Sequence, residues 1–228
     1  MLDLLKPKNV HHVKTRLGPK EDGGYVMPEI VLEKCSTLFN YGVGYNYSYE
    51  EEFALKYKKP VHMFDHTVNH VFKSPLHFYN EGLGFGENCG DVIEHYNRLG
   101  IQGNIFLKID VEGVEYDYFD KVDMDKLASI TNGIILETHW TTNDTIRERC
   151  FNIIQKINKY FILCHTHGNN MGGTYIFEGY NIPDIFELSF INKNLVHVEE
   201  EDKQFYPIDG LDYPNNPSFP DYPLTFIK

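Results

Sequence analysis

The chain has 228 residues, 42% hydrophobic and 24% charged, a size and balance that suit one globular α/β domain around a single substantial core. With 33 acidic against 21 basic residues the formal charge is −12, and the Lys and Arg residues are scattered, a pattern that repels a phosphate backbone and excludes nucleic acid as the natural partner. No apolar run approaches the roughly 20 residues that cross a bilayer, so no membrane-spanning segment is expected.

The N-terminal "MLDLLKPKNVHH" carries acid, Lys and Pro where a signal peptide has its apolar core, and the expected location is therefore cytoplasmic. "RLGPKEDGGYVMP", with its Gly-Gly pair and prolines, predicts a hairpin, and residues 1–35 read as an N-terminal cap on the sheet. Seven apolar runs follow at 36–42, 60–65, 74–80, 104–110, 133–139, 160–167 and 183–191, rich in β-branched and aromatic residues and alternating with helix-period segments. That alternation predicts an open, mostly parallel, doubly wound sheet over residues 36–192. Ser48 and Glu51 have capping-box spacing, and Tyr49, Phe53 and Tyr57 follow at i, i+4 and i+8, so a helix begins just after the first strand's loop. Shorter helices are expected in "GDVIEHYNRLG" and "EYDYFDKV". A longer one is marked by Ile146, Cys150, Ile153, Ile154 and Ile157 behind the N-cap segment "TTND". Only the Gly-rich "GNNMGGTYIFEGYN" separates the last two strands, which suits an antiparallel pair. Residues 193–228 hold Pro207, Pro214, Pro217, Pro220 and Pro223 and read as an extended tail packed over the domain. The four cysteines form no C-x-x-C pair and are expected to be reduced, structural thiols.

The stretch "LFNYGVGYNYSYEEEF" places Gly42 and Gly44 between the first strand and a helix start, where glycines let a ligand approach the backbone and helix N–H groups attract an anion. Asp65 ends the second strand 21 residues beyond Gly44, near the spacing at which a carboxylate meets a ribose diol. Tyr47 stands where a dinucleotide loop has its third glycine, and no Tyr-x-x-x-Lys occurs. Both features disfavour a dinucleotide-dependent nucleotide-sugar oxidoreductase or epimerase, which remains the alternative enzyme. A nucleoside cofactor without pyrophosphate fits better.

"DGGYV", "YGVGYNYSYE", "VHMFDHT", "FLKIDVEGVEYD", "ILETHW" and "HTHGNN" together resemble the FkbM-like group of class I S-adenosylmethionine-dependent methyltransferases, "LKIDVEG" being the most specific segment. The resemblance implies a Rossmann-like seven-stranded sheet of order 3-2-1-4-5-7-6 with the last strand antiparallel. It also implies O-methylation of a sugar, sugar phosphate or related precursor of a cell-surface polysaccharide such as a capsule. Carried over by position, Gly42, Gly44 and Asn46 would hold the methionine end of the cofactor and Asp65 its ribose, with His66 lining the pocket. "YNEGLG", including Gly82, would border the adenine. Tyr45 and Tyr47 depart from the small residues common in such a loop.

Strand exits collect Asp110, Glu112, Glu137, His139, His165 and His167. Asp110 and Glu112 read either as helix caps in "DVEG" or as groups beside the sulfonium and the acceptor. Glu137 and His139 alternate and share a face, so the carboxylate can raise the imidazole's basicity, and His139 is the expected general base, with His167 as the other candidate. A divalent metal on Asp110, Glu137 and His139, or on His167, is the second-ranked way to activate an acceptor hydroxyl. Trp140 and the tyrosines are candidates for stacking on sugar faces. A catalytically silent cofactor-binding protein is the third class, and the sequence leaves a homodimer open.

Overall fold

The computed structural model describes residues 1–227. The main sheet has seven strands: β1 Thr37–Tyr41, β2 Val61–Phe64, β3 Leu76–Tyr79, β4 Ile105–Ile109, β5 Thr131–Thr138, β6 Phe161–Phe177 and β7 Tyr180–Asn192. Their order is 3-2-1-4-5-7-6, as the resemblance implies. Strands β1 to β5 pair in parallel, while β7 runs antiparallel to both β5 and β6.

Alternation along the strands sends side chains to two separate cores, which is why the sheet is doubly wound. Phe39, Leu107, Ile134 and Leu136 pack on one face with helices α3 Val92–Arg98, α4 Val114–Lys121, α5 Met124–Ile130 and α6 Asp144–Ile157. Leu38, Phe106 and Ile135 pack on the other with α1 Glu29–Lys34, α2 Ser48–Tyr57 and the N-terminal hairpin. The helices α1 and α5 were not expected. Each is short, and its apolar residues fit equally well as flanks of the neighbouring strand.

Helix α6 is capped as expected, Asn143 accepting from the Thr145 and Ile146 N–H groups. The capping box on α2 does not form. Tyr47 is the N-cap residue, and the Ser48 hydroxyl instead donates to Asn46 Oδ1 at 2.6 Å. Competition from a preceding Asx side chain therefore removes the cap.

The N-terminal segment forms the hairpin Lys14–Leu17 with Tyr25–Pro28. Residues 168–177, expected as a Gly-rich connection, are mostly strand. The β6–β7 hairpin extends to a tight turn at Glu178 and Gly179, both with positive φ. The Pro-rich tail packs over this hairpin: Asn170 Nδ2 donates to the carbonyls of Asn216, Phe219 and Pro220, and its Oδ1 accepts from the Asn216 N–H. All four cysteines are free thiols, and burial pushes those of Cys35, Cys150 and Cys164 up to about 12. No helix among the described residues is long and apolar enough to cross a membrane.

Candidate active site

Strands β1 and β4 lie side by side at the point where the chain winds off in opposite directions, and a crevice opens beyond their carboxyl ends. A cavity of about 360 Å³ fills it, within the range of small-molecule sites.

The glycine loop forms one wall. Gly42 has φ +82°, and a Cβ there would fall 1.5 Å from the Asp110 carbonyl oxygen, so only glycine fits where the β1 and β4 exits touch. Gly44 has nothing within 4 Å of a Cβ position and lines the cavity. Asp65 clamps this loop: its Oδ2 accepts from the Val43 and Gly44 N–H groups at 2.9 and 3.0 Å, and its Oδ1 from the Thr67 N–H and hydroxyl at 2.8 and 2.6 Å. Burial alone would raise this carboxyl. The bonds from the Thr67 hydroxyl and the three backbone amides outweigh burial and hold it below the usual carboxylate range. His66, Thr67, Gly82 and Leu83 complete that end of the cavity, and Asn46 lines it with its amide spent on the Asp22 carbonyl.

At the opposite, inner end the cavity meets a buried charge pair. Lys108 on β4 and Glu50 on α2 are 5% and 1% exposed, and both line the cavity. Lys108 Nζ stands 3.8 Å from Glu50 Oε1 and 3.4 Å from Asn40 Oδ1, and it lies over the Tyr25 ring at 4.7 Å. Glu50 Oε1 and Asn40 Nδ2 are buried without hydrogen-bond partners. Burial pushes the Glu50 carboxyl up, with Lys108 opposing. Lys108 and Glu50 thus bring charges of both signs to the cavity wall, with the Asn40 amide buried behind them, and unbonded buried polar atoms of this kind are costly.

Where Asp110 and Glu112 line the cavity, carboxylates gather around His139 behind the wall. Its Nε2 is 3.6 Å from Asp110 Oδ1, 3.6 Å from Glu112 Oε2 and 3.5 Å from Glu137 Oε1, while its Nδ1 meets Glu115 Oε1 at 3.3 Å. Burial alone would push this imidazole down, but Glu115 and Glu137 carry it up to about 11. The Tyr25 hydroxyl, from the N-terminal hairpin, contacts Glu137 Oε2 at 2.7 Å and Asp110 Oδ2 at 3.1 Å. One hydroxyl proton cannot serve both carboxylates. Burial first, and then mutual repulsion, raises the carboxyl of Glu137.

The structure therefore brings Asp110, Glu112, Glu137 and His139 together, as the strand exits suggested. The capping reading of "DVEG" does not hold: Gly113 is the N-cap of α4 and makes no side-chain cap, and its N–H is taken by Glu115 Oε2 at 2.8 Å. His167 is not part of the cavity. It is 2% exposed and is held by Glu187 at 2.9 Å and by the tail's Asp221 at 2.9 to 3.0 Å, which removes it as a base or metal ligand at this site. His165 is likewise bonded to the tail's Asp212 at 2.8 Å. Sequence reasoning passed over Tyr25, Glu50, Lys108 and Glu115. Helical period places Glu50 on the face of Phe53 and Ala54, a signal that the run of three glutamates concealed.

No protein-family model matches this chain, and no curated protein matches it either. The FkbM-like resemblance therefore stands on its motifs alone. Among solved structures, a chain of a fibrillarin/Nop5p complex aligns over 69% of this chain and 72% of its own length, at 8% identity and a TM-score of 0.43. A fibrillarin pre-rRNA processing protein of Methanococcus jannaschii aligns over 72% and 69%, at 9% identity and a TM-score of 0.41. A precorrin-6y C5,15-methyltransferase from Geobacter metallireducens GS-15 aligns over 72% and 87%, at 9% identity and a TM-score of 0.36. Likeness this distant carries no inference about the chemistry of the cavity, which rests on the residues that line it.

Proposed function

We propose that this chain is an S-adenosylmethionine-dependent methyltransferase of the FkbM-like kind. Its acceptor is an oxygen of a small sugar, sugar phosphate or related precursor of a cell-surface polysaccharide. The observation that carries the reading is the buried, incompletely bonded Lys108, Glu50 and Asn40 group at the inner end of a glycine-walled cavity. A ligand with an amino-acid end suits it: a carboxylate pairs with the Lys108 ammonium, and an ammonium pairs with the Glu50 carboxylate at the cavity wall. Dinucleotides bring neither group to that place.

Lys108, Glu50 and Gly42 would hold the methionine end, with Asn40 bonding Lys108 from behind and Gly44 admitting the ligand against the backbone. Asp65, His66 and Gly82 border the nucleoside end. Asp65 meets a ribose hydroxyl only by exchanging a Thr67 bond on Oδ1, because the Val43 and Gly44 amides occupy Oδ2. The bound cofactor supplies an electrophilic methyl carbon on a sulfonium. The chain's own residues then orient an acceptor oxygen and receive its proton. At neutral pH the surrounding carboxylates keep His139 protonated, so the proton-accepting group that faces the cavity is Asp110, with His139 balancing its charge. Trp140, half exposed beside His139, and Tyr45, exposed at the rim, offer flat apolar faces to a sugar.

Isothermal titration with the demethylated cofactor, S-adenosylhomocysteine, tests the reading. One site per chain is expected, with no fluorescence enhancement of added NADH. An absence of binding, or NADH binding in its place, overturns it.

A further inference from the structure

We infer that Asp110, Glu112 and His139 form a divalent-cation site at the acceptor end of the cavity, suited to a six-coordinate ion such as Mn²⁺. One candidate ligand atom from each residue lies within 4.8 Å of the other two. The separations from His139 Nε2 to Asp110 Oδ1 and to Glu112 Oε2 are both 3.6 Å. That is too long for an N–H···O bond, which falls near 2.7 to 3.2 Å. It lies between the ~3.0 Å edge and the ~4.2 Å diagonal of an octahedron whose ligand atoms stand about 2.1 Å from the ion, so a small inward movement of the exposed Glu112 side chain closes the set.

The imidazole supplies the independent observation. Its side chain is 2% exposed, and its Nε2 faces three carboxylates at 3.5 to 3.6 Å, two of which, Asp110 and Glu112, line the cavity. Its other nitrogen is fixed from behind. Glu115 Oε1 takes Nδ1 at 3.3 Å and the His139 N–H at 3.2 Å, while Glu115 Oε2 takes the Gly113 N–H. A carboxylate that orients a histidine through its far nitrogen is the usual support for a metal-ligating imidazole. Glu137, 3.5 Å from Nε2, is spent on the Tyr25 hydroxyl and on Asn169 Nδ2, so it braces the group.

Charge points the same way. Asp110, Glu112, Glu115 and Glu137 face one imidazole, and Lys108 is the nearest fixed cation. Two carboxylates with one imidazole suit a borderline-hard ion. Glu112, whose side chain is 72% exposed, leaves the solvent side open for water or an acceptor oxygen. Binding at Nε2 releases the imidazole proton to solvent, and the ion takes over its charge-balancing part. The ion's part in transfer, lowering the pKa of an acceptor hydroxyl bound to it, rests on the methyltransferase reading, whereas its binding does not.

The test is a titration of the full chain, stripped with chelator, with Mn²⁺ alone, followed by loss of the free-ion electron paramagnetic resonance signal. One Mn²⁺ per chain is expected. Glu112→Gln, Asp110→Asn and His139→Gln should each weaken it roughly 10- to 100-fold. His197→Ala, on a separate histidine-bearing surface groove, should leave it unchanged. Because Glu112 is exposed, its glutamine variant keeps the fold, and a circular-dichroism melt on the same sample checks this. Non-saturable binding by the wild type, or a Glu112→Gln variant that binds like wild type, overturns the inference. Titration with S-adenosylhomocysteine on the same preparation separates the two readings. Cofactor binding without Mn²⁺ binding sinks the metal site alone, and Mn²⁺ binding without cofactor binding sinks the methyltransferase alone.

Discussion

At Lys108 and Glu50, stability and ligand binding separate in a way that mutagenesis can read. Lys108→Met leaves the Glu50 carboxylate buried at 1% exposure with no cation beside it, a loss of about 3 to 5 kcal/mol. The double variant Lys108→Met with Glu50→Gln removes the stranded charge and should regain most of that stability in a urea melt. Its affinity for S-adenosylhomocysteine should nevertheless stay at least ~10-fold below wild type, the scale of one charged hydrogen bond. If the double variant binds like wild type, the amino-acid end of the ligand sits elsewhere. Gly42→Ala makes a different prediction. A Cβ 1.5 Å from the Asp110 carbonyl oxygen, at φ +82°, must push the β1 and β4 exits apart. It should abolish cofactor binding in the titration and lower the melting temperature. Gly44→Ala meets no neighbouring atom but must hold φ +54°, so it should cost about 1 kcal/mol and melt a few degrees below wild type, well short of the Gly42→Ala loss. Of this chemistry, Gly42, Asp65, Asp110 and His139 were legible as residues at strand exits. Lys108 was in view inside "LKIDVEG", but a lysine between Leu107 and Ile109 carries no mark of its partner. Pairings between β4 and α2, or between the N-terminal hairpin's Tyr25 and Glu137, join residues far apart in sequence, and no local pattern records them.

Among the elements, the long β6–β7 hairpin and the tail over it were the least legible. Glycines in "GNNMGGTYIF" signal a loop locally, yet the pairing of Thr174 through Phe177 with Tyr180 through Pro183 carries the strand through. The tail's prolines correctly exclude helix, but its grip comes from Asp212, Asn215 and Asp221 reaching His165, Glu187 and His167. That grip is pH-dependent, and Asp212, His167 and His165 set its limits. Asp212 is held down to about 2: burial opposes ionisation, but the His165 bond and the Ile208 N–H overcome it, the latter at 2.7 Å. A carboxyl lowered in the folded state stabilises above its unfolded pKa of ~3.9, and its contribution is lost as pH falls toward 2. His167 is carried up to about 10 by Glu187 and Asp221 against burial. An imidazole raised in the folded state stabilises fully below ~6.5, and its contribution is lost as pH rises toward 10. His165, held below its usual value by burial, costs stability as pH falls below ~6.5, so hydrogen exchange over residues 203–224 should be slowest at about pH 6.5, after correction for intrinsic rates. Asp221→Asn should lower the melting temperature by roughly 2 to 8 °C at pH 6, for about 1 to 2 kcal/mol, and by little at pH 10. Equal destabilisation at both pH values would show that Asp221 acts through packing rather than through the charge on His167.

On the scale of the whole molecule, strand count, alternation and the antiparallel final pair were visible in the sequence because each is a local pattern. The order of the strands came from the FkbM-like resemblance, since nothing local distinguishes 3-2-1-4-5 from another parallel order. The sheet places the cavity at its switch point, and the acidic surplus of the chain is concentrated there. Asp22, Glu50, Asp65, Asp110 and Glu112 line the cavity, against Lys108 as the one lysine or arginine in its wall. With an overall charge of −12, the field around the mouth favours a cation. S-adenosylmethionine carries one net positive charge, and its demethylated product is a neutral zwitterion, so the two differ in this field by the charge that the reaction removes. Salt screens that difference, the Debye length falling from ~30 Å at 0.01 M to ~3 Å at 1 M. The affinity ratio of cofactor to product, measured by titration at 0.02 and 0.5 M NaCl, should fall several-fold, on the order of 1 kcal/mol for a charge near a partly exposed acidic wall. Product affinity alone should change little. Glu112→Gln should flatten the salt dependence, because it removes the most exposed carboxylate of the wall, whose side chain is 72% exposed, without disturbing the Lys108 end. A ratio independent of salt in the wild type would mean that the acidic wall is fully balanced before the cofactor arrives. The field would then take no part in driving exchange of spent cofactor for fresh.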